Sequence, residues 1–221
     1  MAYTLFDKYG RVVTHYDLQD KIRWCKTGEG YEHSFVRRFG ALWGIVINPQ
    51  KSQDACAPDL FNFTDNSISD LKVQRTPFFQ AQDLFGFDPQ YAVVFNVKDR
   101  EHYEQRYPNL SRVYFWVNWE ACRFKSDGGE EIEVVPMYGM WSILFQELLS
   151  ILDVSKIYTY SQRVDDTSGN AKDSYVVSLL DSRFVLLTDP QEEFVPVDPH
   201  VCECWMCVQT AYNIIHRKVC P

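Results

Sequence analysis

The chain has 221 residues, 46% hydrophobic and 24% charged, a composition that excludes wholesale disorder and suits one domain or a domain with a smaller lobe. Its net charge of −8 is uneven: residues 1–125 carry 16 basic against 15 acidic groups, and residues 126–221 carry 6 against 15. That balance argues against an all-over basic nucleic-acid coat but leaves room for a local basic cleft in the first half. The longest apolar runs, Trp43–Ile47 and Val113–Val117, are far too short to span a bilayer, and the start MAYTLFDKYGRVV lacks the apolar stretch of a signal peptide. The expectation is a cytoplasmic, soluble protein without membrane contact. Seven cysteines without a secretory signal argue against a disulfide framework.

In chain order, the first 24 residues carry a mixed pattern that assigns no element. Gly28 to Leu42 reads as a helix, because Tyr31, Phe35, Phe39 and Leu42 recur at helical spacing after Thr27-Gly28. Gly44 to Asn48 reads as a strand stopped by Pro49, and Gln50 to Asp54 as a polar loop. Ala57 to Phe63 is a second strand, Thr64–Ser67 a turn, and Ile68 to Gln74 an alternating third strand ended by Thr76-Pro77. Asp88-Pro89 opens a second helix using Tyr91, Val94 and Phe95 and ending near Tyr107-Pro108. Arg112 to Trp119 alternates as a further strand, Ser126–Gly129 is a turn, and Trp141 to Leu152 is a third helix. Ser161 to Ser174 is a solvated loop, and Ser174 to Thr188 a hairpin or two short strands. Helix, three strands, helix, strand implies an α/β or α+β domain around a central sheet.

The residues that carry chemistry are Pro58-Asp59 and Asp70-Leu71-Lys72, on adjacent expected strands joined by a short turn. Two aspartates brought to one end of a sheet repel unless a cation neutralises them. A divalent ion such as Mg²⁺ prefers those oxygen donors. Lys72 follows Asp70 by two residues and so shares its strand face. There it is placed to orient or help deprotonate an attacking water, the apparatus of metal-assisted phosphodiester hydrolysis.

On these residues the chain resembles the PD-(D/E)XK nuclease superfamily. The resemblance is carried by Pro58-Asp59, ten intervening residues, Asp70-Leu71-Lys72, and the acidic stretch Gly28-Glu29-Gly30-Tyr31-Glu32 in the preceding helix. It covers roughly residues 25–120, and the signal lies in order, spacing and context rather than in either short motif alone. It implies a restriction-endonuclease-like core over residues 1–125, a central mixed sheet flanked by helices; it says little about residues 126–221, which read from their charge and pattern as an acidic helical and hairpin extension with a Cys-rich tail. It implies a Mg²⁺- or Mn²⁺-dependent deoxyribonuclease in which Asp59, Asp70, the Leu71 carbonyl and a helix carboxylate hold the metal. Glu32 is the first choice for that carboxylate and Glu29 the second. Lys72 then serves the water. Gln74 extends the motif to D-x-K-x-Q and, with Arg75, is a candidate contact to DNA; family analogy also suggests a homodimer.

Other residues read more plainly. Arg37 and Arg38 suit an exposed helix end, and His33 and His102 suit the surface. The aromatic residues of Tyr114–Trp119 would alternate between core and surface, and Cys56 and Cys122 would be structural. In the tail, His200, Cys202, Cys204, Cys207, His216 and Cys220 allow a tetrahedral Zn²⁺ site or an iron–sulfur cluster, and the resemblance implies for the cluster a layout of Cys25 with Cys202, Cys204 and Cys207, as in family members with one cysteine before the core and three after it. Plain packing of unliganded cysteines is the competing reading there. The rival to catalysis is a nuclease-like protein without turnover that binds nucleic acid or a protein partner.

Overall fold

The computed structural model describes residues 3–13, 21–159 and 173–188, with residues 21–27 described by their backbone alone. The chain is a mixed α+β protein built round a central sheet. In order it runs β1 (Tyr3–Phe6), α1 (Lys21–Trp43), β2 (Ile45–Ile47), β3 (Leu60–Asn62), β4 (Ser67–Gln74), α2 (Ala81–Phe85), β5 (Ala92–Asn96), α3 (Val97–Arg106) and β6 (Arg112–Asn118). It continues with β7 (Arg123–Ser126), β8 (Glu131–Glu133), β9 (Tyr138–Leu144), α4 (Phe145–Leu152), β10 (Ile157–Thr159), β11 (Asp173–Ser178) and β12 (Val185–Leu186). Among the described residues the largest sheet has the order β12-β9-β6-β4-β3-β2. The described residues divide into two compact units, residues 22–71 forming one and the rest the other, and β4 contributes strand to each.

In the unit of residues 22–71, α1 buries Tyr31, Phe35, Val36 and Phe39. Phe39 stacks on Trp43 with ring centroids 4.4 Å apart, and Phe35 lies 5.2 Å from Phe39. Leu42, expected on this face, is instead 75% exposed, and Trp43 fills the last apolar position. Gly40 lets the helix lie close on β2, since a Cβ there would stand 2.5 Å from the Ile45 carbonyl oxygen. Gly44 turns the chain from helix to strand at φ +68°, where a Cβ would stand 2.2 Å from Thr64 Oγ1. The strands then form an antiparallel meander, with Ile47 opposite Leu60 and Leu60 opposite Ser69. Its second turn is closed by Asn66 in the left-handed region and by Asp65, which accepts a hydrogen bond from the Ser67 amide at 3.0 Å.

In the other unit β1, β7 and β8 form a small antiparallel sheet, and β10, β11 and β5 form another. A third group sets β9 between β6 and β12. Three expectations change here. Residues 88–107 are not one helix: Pro89–Tyr91 makes a single 3-10 turn, Ala92–Asn96 is a strand, and only Val97–Arg106 is helical. The β-branched pair Val93-Val94 pairs with Val177-Val176, a partner more than 80 residues away that local pattern cannot show. Likewise Trp141–Leu144 belongs to strand β9, and the helix begins at Phe145. A run buried on both faces has no period by which to tell strand from helix. Strand β6 is buried throughout from Val113 to Asn118, so Tyr114, Phe115, Trp116 and the following Trp119 do not alternate with solvent. Residues 173–188 supply two short strands that pair in different sheets.

The helix face yields a direct expectation. Phe35→Ala, at a fully buried position, should cost about 3–5 kcal/mol of unfolding free energy. Leu42→Ser should stay within about 0.5 kcal/mol. Urea denaturation of both variants checks the assignment.

Candidate functional site

The residues between β2 and β3 are organised by one buried amide. Asn48 is 2% exposed. Its Oδ1 accepts the Gln50 amide at 3.1 Å and caps the 3-10 turn Pro49–Ser52. Its Nδ2 donates to the Pro58 carbonyl at 2.8 Å, and its backbone N–H donates to the Asp59 carbonyl at 2.9 Å. One side chain therefore fixes both the turn that carries Lys51 and the strand end that carries Asp59.

From that turn Lys51 reaches the carboxylates. Its Nζ lies 2.6 Å from Glu32 Oε1 on α1 and donates a hydrogen bond to Asp59 Oδ1. The three side chains are 14–19% exposed. Burial alone would lower the Lys51 pKa, but the charges of Asp59 and Glu32 and their hydrogen bonds outweigh it and hold the pKa above the ordinary lysine value. The group is a cation at neutral pH. The other oxygen of Asp59 accepts the Leu71 backbone N–H at 3.3 Å, across to β4.

Asp70 stands beside this contact. The β3–β4 register ends with Leu60 opposite Ser69, the neighbours of Asp59 and Asp70, and the Leu71 N–H that Asp59 accepts follows Asp70 directly in β4. Asp70 is 1% exposed and its Oδ2 lies inside with no hydrogen-bond donor on it, although the residue as a whole is not without partners. Glu32, Asp59, Asp70 and the Leu71 peptide all belong to the unit of residues 22–71. Glu29, the alternative helix carboxylate, is exposed.

Lys72 is two residues beyond Asp70 in β4 and on the same strand face. It pairs with Asp99 on α3 at 2.6 Å and lies 3.3 Å from Tyr103 Oη, with its ammonium over the Phe95 and Tyr103 rings. Gln74 braces the neighbouring strand: its amide donates to the Val94 carbonyl at 3.2 Å and accepts the Val94 N–H at 3.4 Å. Arg75 forms a two-pronged pair with Glu120 at 2.7 and 2.5 Å. Both DNA-contact candidates thus have internal partners.

A Mg²⁺ ion suits the donor chemistry, since carboxylate and carbonyl oxygens are the hard ligands it takes. Among the described residues no group of three His, Cys, Asp or Glu is already drawn together tightly enough to hold a metal. The cation between Glu32 and Asp59 is the Lys51 ammonium. The sequence pattern places Lys51 in a polar loop and Asn48 at the end of a strand, yet Asn48-Pro49 is also the signature of a capped turn and is the local signal that marks it.

Arg37 and His33 are exposed, and Arg38 lies over the Phe39 ring. His102 sits against the Tyr103 and Tyr107 rings. Cys56 is exposed, against the expectation of a structural role, whereas Cys122 is buried, with its Sγ 3.6 Å from the Trp119 carbonyl oxygen. His200, Cys202, Cys204, Cys207, His216 and Cys220 lie outside the described residues, as does the Cys25 side chain. Most of the loop expected at Ser161–Ser174 lies outside them too. No described helix is long and apolar enough to cross a membrane. No family model, curated protein or solved structure matches the chain.

The two described cysteines should differ in reactivity. Burial pushes the Cys122 thiol up to about 11, with Asp7 and Glu133 adding to the rise against Lys8. Only the thiolate attacks an alkylating reagent. Under native conditions at pH 8, peptide mapping should find Cys56 modified by iodoacetamide and Cys122 spared. Labelling of Cys122 should increase as the pH approaches 11.

Proposed function

We propose that the chain is a metal-dependent nuclease hydrolysing DNA phosphodiester bonds through a site of the PD-(D/E)XK kind. One observation carries the reading: Asp59 gives one carboxylate oxygen to the Leu71 amide and the other to the ammonium that also holds Glu32. That links the three stretches which sequence reasoning nominated. The succession α1, β2, β3, β4, α3, β6, with α2 and β5 inserted, agrees with the helix–strands–helix–strand order of such a core.

In this reading Asp59, Asp70, the Leu71 carbonyl and Glu32 hold Mg²⁺ or Mn²⁺. When bound, the metal supplies Lewis acidity to the phosphoryl group and its leaving oxygen. Lys72, the lysine of the motif, orients the attacking water. Asp99 and Tyr103 position its ammonium. Gln74 and Arg75 support the motif strand through Val94 and Glu120 in addition to any contact with DNA.

A second reading has its own support. Lys51 already balances Glu32 and Asp59 without a metal, as in a nuclease-like protein that binds nucleic acid or a protein and does not cut. Plasmid and single-stranded DNA incubated with Mg²⁺, Mn²⁺ or EDTA separate the two. Metal-dependent cutting is expected, and Asp70→Ala and Lys72→Ala should each reduce it by on the order of a thousandfold with the circular dichroism spectrum unchanged. Full cutting by both variants would end the mechanism. Binding without cutting under every metal condition selects the second reading.

A further inference from the structure

We propose that Lys51 is a tethered counter-cation that occupies the metal position between Glu32 and Asp59 and must vacate it when a divalent ion binds. This rests on the reading of the cluster as a metal site and goes beyond it, because Lys51 belongs to neither sequence motif.

The ammonium contacts one oxygen of Glu32 and one of Asp59, two of the carboxylates that would hold the metal. Two cations sharing those oxygens would stand within a few ångströms of each other in a mostly buried place, where repulsion is strong. One of them must leave. The Lys51 tether permits this: its backbone is fixed by the Asn48-capped turn, while its flexible four-carbon stem is partly exposed. Asp59 stays oriented meanwhile, because its second oxygen rests on the Leu71 amide. Glu32 is carried by α1, which is packed closely on β2 at Gly40. The carboxylates therefore keep their places as the ammonium departs. Without a metal the lysine prevents their repulsion, and with one it is a competitor.

Removing that competitor by Lys51→Met in the full chain should tighten Mn²⁺ binding, measured by calorimetry, by about tenfold or more, the scale of a lost charge-assisted contact. Lys51→Arg should stay within a few-fold of the parent. In EDTA the methionine variant should melt below the parent, and Mn²⁺ should restore it. The parent offers an independent readout: a Lys51 side-chain ammonium signal in nitrogen-15 NMR, identified by its loss in Lys51→Arg, should vanish or shift on saturation with Mg²⁺. Equal Mn²⁺ affinity of parent and Lys51→Met, or an ammonium signal unmoved by saturating Mg²⁺, overturns the proposal and leaves the metal site standing. Failure of parent and both variants to bind Mn²⁺ overturns the metal reading itself, and this inference with it. Should Lys51→Met not fold, the NMR titration of the parent decides alone.

Discussion

Two ionised carboxylates that are more than four-fifths shielded from water need a cation between them, and Lys51 provides it. The organisation of residues 22–71 follows from satisfying that constraint. Helix α1 must present Glu32 at one height, the capped turn must bring Lys51 to it, and the end of β3 must turn Asp59 to meet both. Each requirement has a local cause: the close seat at Gly40, the amide of Asn48, and the short step from Pro58 into the ladder at Leu60.

A buried ion pair of this kind adds little net stability over a well-packed apolar substitute, yet removing one member leaves a charge stranded. Its presence therefore says more about what the place is for than about holding the fold together. The fold has other sources of strength in the same unit, chiefly the Tyr31, Phe35 and Phe39 face and the Phe39–Trp43 stack. This separation leaves the aromatic face to carry the packing independently of the ion cluster.

Legibility from sequence followed locality. The meander β2–β3–β4 was readable because each strand is bounded by its own turn chemistry: Gly44 before it, Asn48-Pro49 after the first, Asp65-Asn66 between the second and third. Such signals act over a few residues, and the strands they bound pair with their nearest neighbours in the chain. Strands β5 and β9 depart from the helices that the sequence pattern suggests because their partners are distant or their faces are both covered, so neither turn nor period marks them. At the site, motif order and spacing single out Asp59, Asp70 and Glu32, and the structure joins Asp59 to Glu32 through Lys51 and to the Leu71 amide beside Asp70. Lys51 escaped notice because its role depends on a capped turn that returns the chain toward a helix almost twenty residues earlier. Partners such as Glu120 for Arg75 and Asp99 for Lys72 are contacts over 27 to 45 residues that no local pattern encodes.

Asn48 has one more property that bears on how long the cluster endures. Asparagines age to aspartate when the nitrogen of the next residue closes a ring on the side-chain amide. Here the next residue is Pro49, whose nitrogen bears no hydrogen, so that ring closure is blocked. Conversion at this position would replace the donor that holds the Pro58 carbonyl with an extra negative charge near Asp59. The dipeptide that starts the turn thus also protects it from slow chemical decay, at the one interior amide on which both arms of the cluster hang.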